Sequence, residues 1–134
     1  MSLSQDSINK LQMLREAILA SPKFYKQDRW VASISTCGTT CCLAGWADFL
    51  VNGERVHAER AKRLKGSWLA EREWIEVTAT ALGITQEQAD RLTDSSTYWP
   101  EPFCNQYDDG DPPKKRAAIA AARIDHFIKT GGDE

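Results

Sequence analysis

The sequence has no run of apolar residues approaching the ~18 that cross a bilayer, so it offers no membrane-spanning helix. It also lacks the unbroken apolar core of a secretory leader, because residues 1–20 carry Asp6, Lys10, Arg15 and Glu16. Both absences point to a cytoplasmic protein whose cysteines are reduced. Neither sign of charge dominates: 17 Lys+Arg face 19 Asp+Glu. With a pI near 5.7 the chain is not the strongly basic domain that binds duplex nucleic acid, and duplex binding is not expected. Histidine is scarce, with His57 and His126 the only two, which restricts acid–base and metal chemistry to a few combinations. There is no glycine-rich phosphate loop, no paired-carboxylate motif and no internal repeat. Alternating β-branched residues are missing too, apart from a short stretch at 29–35.

What remains is the composition of an ordinary globular chain, 42% hydrophobic and 27% charged over 134 residues, which fits one domain spanning 1–134. A chain of this length buries enough surface to fold without disulfides or metals. Charge is unevenly spread. Residues 51–75 hold six basic side chains against four acidic ones, and residues 76–112 hold eight acids and a single base, Arg91. A basic run of this kind is read first as a solvated helix face or a linker.

Helical periodicity accounts for most of the chain. Ile8, Leu11, Leu14 and Ile18 predict a helix over 4–20, stopped by Pro22. Residues 23–36 have no sustained period and read as a connection with one short helical turn at 28–32. A helix over about 40–51, capped by Thr39 or Thr40 and closed by Asn52 and Gly53, is apolar all round with Asp48 its only charge. Such a helix belongs in the middle of a fold. Residues 68–82 resume the pattern and stop at Gly83; Thr85 and Gln88 then have the form of a capping box for a short helix through Ala89 and Leu92. Residues 97–113 contain four prolines and are expected to be a loop. A last helix from 111 or 112 carries the stripe Ala117, Ala120, Ala121, Ile124, Phe127 and Ile128 and ends at Gly131. The expectation is an all-α fold, a single compact domain of four or five helices around the buried helix at about 40–51.

The most distinctive run is Cys37-Gly38-Thr39-Thr40-Cys41-Cys42-Leu43-Ala44-Gly45-Trp46-Ala47. It resembles the C-G-T-x-x-C-[LI]-A-G-[WH]-A signature of a family of small, uncharacterised bacterial and phage proteins. The segments Leu82-Gly83-Ile84-Thr85, Trp99-Pro100 and Ala122 to Gly131 follow that family's order as well. The resemblance implies shared architecture and brings no activity with it.

Three chemistries fit the cysteine run. A thiol near a helix N-terminus has its pKa lowered by the unpaired N–H groups there, which makes Cys41, then Cys37, candidate nucleophiles with His57 as base in a cysteine-dependent hydrolase or transferase. Zinc would need about four ligands, drawn from Cys37, Cys41, Cys42, Cys104, His57 and His126, but only one close-spaced pair is present. Burial is the third reading and the one the sequence favours, because free cysteine packs as a small hydrophobe. No cofactor is therefore expected. Asp108-Asp109-Gly110-Asp111 lacks the spacing of a calcium loop and reads as a turn.

Candidate binding residues come from the aromatic and basic stretches. Tyr98 and Trp99 sit in a proline-rich segment where Trp99 would either line a surface groove or pin the loop, and Arg60 and Arg63 lie on the basic run. Together these observations lead to a non-enzymatic binding or accessory protein of phage or mobile-element type, with another protein as its partner.

Overall fold

The computed structural model describes residues 3–25, 42–64 and 70–134. Cys37, Cys41, Thr39, Thr40, Trp30, Trp68 and the turn expected at 28–32 lie outside the described residues. Among those described there are seven α-helices and no strand, so the fold is all-α. They are α1 (Gln5–Ala20), α2 (Leu43–Asn52), α3 (Glu54–Leu64), α4 (Ala70–Leu82), α5 (Gln86–Thr93), α6 (Phe103–Gln106) and α7 (Pro113–Lys129). Single 3-10 turns occupy Pro22–Phe24 and Ser96–Tyr98.

Local chemistry explains most boundaries. Ser4 caps α1, its hydroxyl accepting from the Ser7 N–H at 3.1 Å. Both halves of the capping box at α5 form: Gln88 N–H donates to Thr85 Oγ1 (3.1 Å), and Thr85 N–H donates to Gln88 Oε1 (2.9 Å). Pro113 occupies the first turn of α7, where its missing N–H costs nothing. The central helix starts later than expected. Cys42 is extended (φ −79°, ψ −178°) and serves as the N-cap through its backbone, so the helix begins at Leu43.

One segment takes the helical one of the two readings the sequence left open, and one differs from the sequence reading. The basic run is helical: α3 has Glu54 in its first turn and Lys62 and Arg63 in its last, each complementing the helix dipole, while His57, Ala61 and Leu64 face inward. The proline-rich segment contains α6, because Pro102 stands at the cap, where no donor is needed, and the Pro100 carbonyl accepts the Phe103 N–H at 3.0 Å.

The central helix α2 packs against α1, α3, α4 and α5, and α1 packs against α7. One core cluster joins Leu11, Leu14 and Ile18 of α1 to Ile119, Ala120, Ile124 and Phe127 of α7, and includes Trp46 of α2. A second, smaller cluster puts Cys42, Ala44, Ala61 and Leu64 around the fully buried Trp74. Each buried large side chain contributes roughly 1.5–3 kcal/mol, so these two clusters hold the fold together. Ser7 ties α1 to the α4–α5 turn by donating to the Gly83 carbonyl at 2.9 Å. Gly83 is left-handed there (φ 68°), and a Cβ on it would come within 2.9 Å of Ser7 Oγ.

Candidate functional site

Asp48 is the one charge on α2 and is 0% exposed. A buried carboxylate must be met by donors, and this one is met three times. Asn52, one turn on, donates to Oδ1 at 2.7 Å. From α3, the Arg60 Nε donates to Oδ2 at 3.0 Å, and His57 Nδ1 lies 3.1 Å from the same oxygen. Burial by itself pushes the Asp48 carboxyl up, but hydrogen bonds from His57, Asn52 and Arg60, with the charge of Arg60, outweigh it and hold the group below the usual carboxylate range. An ionised carboxylate only accepts, so Nδ1 carries the hydrogen in the His57 ring. That ring is 1% exposed and lies between Phe49 and Trp74, with centroids at 6.2 and 5.7 Å.

The other expected site residues fall in different places. Cys42 is buried at the start of α2, and Cys104 of α6 is half-buried. Among the described residues no group of three or more His, Cys, Asp and Glu side chains is arranged to hold a metal ion. Arg60 is directed inward to Asp48, and Arg63 makes a double contact with Glu73 at 2.7 and 3.3 Å. Both charges of the basic run are thus used within the protein. The acidic turn is likewise occupied: Asp108 accepts from the Gly110 N–H, Asp109 from the Tyr107 hydroxyl, and Asp111 pairs with Lys115.

Tyr98 is the last residue of the 3-10 turn and Trp99 the extended residue that caps it, and the two differ in burial. Trp99 is only 3% exposed and stacks edge-on against Tyr107 at 5.4 Å, so it pins the loop and lines no surface groove. Tyr98 points the other way and is 74% exposed. It stands at the mouth of a pocket of about 200 Å³ lined by Arg91, Tyr98, Pro100, Arg123, Asp133 and Glu134. The floor is Arg123, wholly buried on α7, with its guanidinium carbon 6.0 Å from the Trp99 ring and 5.8 Å from the Phe127 ring. Burial pushes the Arg123 pKa down to about 10. Across the mouth, Arg91 donates to the Gly132 carbonyl at 2.8 Å, and His126 Nε2 lies 2.8 Å from Glu134 Oε1.

Sequence reasoning missed Asp48 and Arg123 as site residues, although each left a sign. Asp48 was the sole charge on a helix apolar all round. Arg123 follows Ala120 by three and precedes Phe127 by four, which places it on the buried stripe of α7. Comparison with known proteins finds no family model, no curated protein and no solved structure that matches the chain.

Proposed function

We propose that this protein acts by binding another protein, with Tyr98 as the exposed anchor of the contact surface. The observation that carries this reading is the 74% exposure of Tyr98 at the rim of a pocket, on a turn held from beneath by the buried Trp99. An aromatic presented on a fixed support loses little entropy on docking, which is why tyrosine is enriched among residues that dominate binding energy. In our reading the protein is an accessory factor of phage or mobile-element type, the setting of the small bacterial and phage proteins whose signature the Cys37 to Ala47 run resembles. A photoreactive amino acid placed at position 98 tests it in cells. The expected result is one discrete cross-linked protein that is absent when the probe stands at the exposed Val56; indistinguishable adducts from both positions, or none from position 98, would sink the proposal.

A second reading is favoured by the Asp48–His57 pair. A carboxylate that orients a histidine through Nδ1 is one half of the arrangement used by a cysteine-dependent hydrolase or transferase, here with Cys41 or Cys37 as the nucleophile. Against it, Arg60 shares the same Asp48 oxygen, and His57 is enclosed by aromatic rings. Iodoacetamide labelling of the native protein at neutral pH decides between the two. Slow modification of Cys37, Cys41 and Cys42 is expected; rapid labelling of Cys41 or Cys37 that is lost in His57→Gln would establish the enzyme instead.

A further inference from the structure

The end of α1, the 3-10 turn after it and the start of α7 enclose a second concavity, which shares no residue with the Tyr98 pocket. Ala20, Pro22, Phe24, Pro112 and Pro113 give it a mainly apolar lining, and its volume of about 480 Å³ lies within the ~300–1,000 Å³ of ligand clefts. Each of these five residues is half-buried or exposed, so an incoming group can touch them all. The walls are also held in place. Trp46 Nε1 donates to the Phe24 carbonyl at 3.1 Å, and the buried Arg116 of α7 donates Nε to the Tyr25 carbonyl at 3.2 Å and Nη1 to the Asp111 carbonyl at 2.7 Å. Turn and helix are fixed to each other by these bonds, which leaves little ordering to be done on docking.

Charge decides the kind of partner. Lys23 and Lys114 are the ionisable side chains of the lining, and both are exposed. Lys10 and Lys115 pair with Asp6 and Asp111 at 3.0 Å each, but Lys23 and Lys114 have no ion-pair partner among the described residues. The Lys23 ammonium stands 5.1 Å from the centre of the Phe24 ring, a contact that leaves its charge unneutralised. The end of α1 and the start of α7 present opposite partial charges here, so the two lysines set the sign. On a protein of net charge −2 this lining is therefore positive. An apolar groove with two unpaired ammonium groups is matched by an apolar side chain that has carboxylates beside it, and the flat proline and phenylalanine faces suit a ring. We infer that this groove binds an acidic segment of a partner protein, which seats one aromatic side chain against the prolines and Phe24 and meets Lys23 and Lys114 with its carboxylates. It is a contact surface additional to the Tyr98 rim.

The test titrates the full chain into a dye-labelled, end-blocked peptide in which one phenylalanine stands between pairs of glutamates, following fluorescence anisotropy. The expected result is saturable binding that weakens about fivefold when glutamines replace the glutamates, as for two exposed ion pairs, and about tenfold when alanine replaces the phenylalanine. Lys23→Gln and Lys114→Gln together should remove most of the difference between the glutamyl and glutaminyl peptides. Ala20→Glu, which puts a like charge at an exposed position of the lining, should weaken the glutamyl peptide, and Tyr98→Ala should leave it unchanged. No saturable binding, equal affinity for the two peptides, affinity unchanged by the lysine substitutions or by Ala20→Glu, or loss of binding in Tyr98→Ala overturns the inference. Self-association of the parent chain in sedimentation velocity that Ala20→Glu abolishes overturns it as well, because the occupant is then a second copy. A discrete cross-link from position 98 without peptide binding would remove this inference and leave the Tyr98 reading standing; peptide binding without that cross-link would do the reverse.

Discussion

Replacing Asp48 by asparagine keeps the size of the side chain and takes away the charge that Arg60 and His57 meet. The substitution leaves the partly exposed Arg60 guanidinium facing a neutral amide, and the expected cost is about 1.5–3 kcal/mol in urea unfolding, the range for hydrogen bonds to a charged group. A cost below about 1 kcal/mol would show that solvent reaches the cluster. The same residue sets a pH dependence. Its carboxyl is held below the usual range in the folded protein, so its contribution is complete above the unfolded carboxylate pKa of ~3.8 and is lost as pH falls through the folded value. Acid unfolding should therefore steepen below about pH 4, and Asp48→Asn should flatten that part of the curve. Arg123 is the opposite case, a buried cation with one carbonyl partner. Arg123→Met keeps the apolar stem against Trp99 and Phe127, and the expected result in thermal unfolding is a Tm equal to or above the parent, as for other buried charges exchanged for hydrophobes. A large fall in Tm would mean that the two ring contacts outweigh the burial of the charge.

At the level of helices, the caps separate what side chains decide from what backbone decides. Thr85→Ala removes the oxygen that receives the Gln88 N–H and should cost about 1 kcal/mol. Gly83→Ala, two residues earlier, should cost more than Thr85→Ala, because the added Cβ both strains a left-handed residue and meets Ser7 Oγ. Denaturant midpoints of the two variants give the order directly, and the reverse order would mean that the α4–α5 turn shifts to admit a side chain. The capping box was legible in the sequence because Thr85 and Gln88 make it with each other. The start of α2 was not, since Thr39 and Thr40 are good caps and Cys42 is a poor one, yet the chain turns into the helix at Cys42 through its extended backbone. The site divides the same way. Asp48 on an apolar helix announced a buried charge, but its partners depend on α3 being helical, which brings His57 and Arg60, three apart, onto one face. Trp99 and Tyr98 are adjacent in sequence and opposite in exposure, a difference set by the 3-10 turn that no residue pattern encodes.

At the scale of the molecule, part of the charge that looks polar along the chain is paired within it among the described residues. Arg55, Arg60, Arg63 and Arg72 each pair with an acid, three of them across exposed positions where a pair is worth under about 1 kcal/mol. Cohesion comes instead from the shared core of α1 and α7. Leu14→Ala, at its centre, should cost about 2–5 kcal/mol, and amide hydrogen exchange should quicken in α1 and α7 together. Exchange that rises in α1 alone would show that the two helices open independently. The pairing of α1 with α7 also bears on synthesis at the ribosome. Leu11, Leu14 and Ile18 are translated long before Ile119, Ile124 and Phe127, and at roughly 5–20 residues per second the first helix waits on the order of ten seconds for its mate. During that interval its apolar face is open to chaperones or to neighbouring nascent chains, so slow translation between α1 and α7 is the condition under which this protein is most exposed to aggregation.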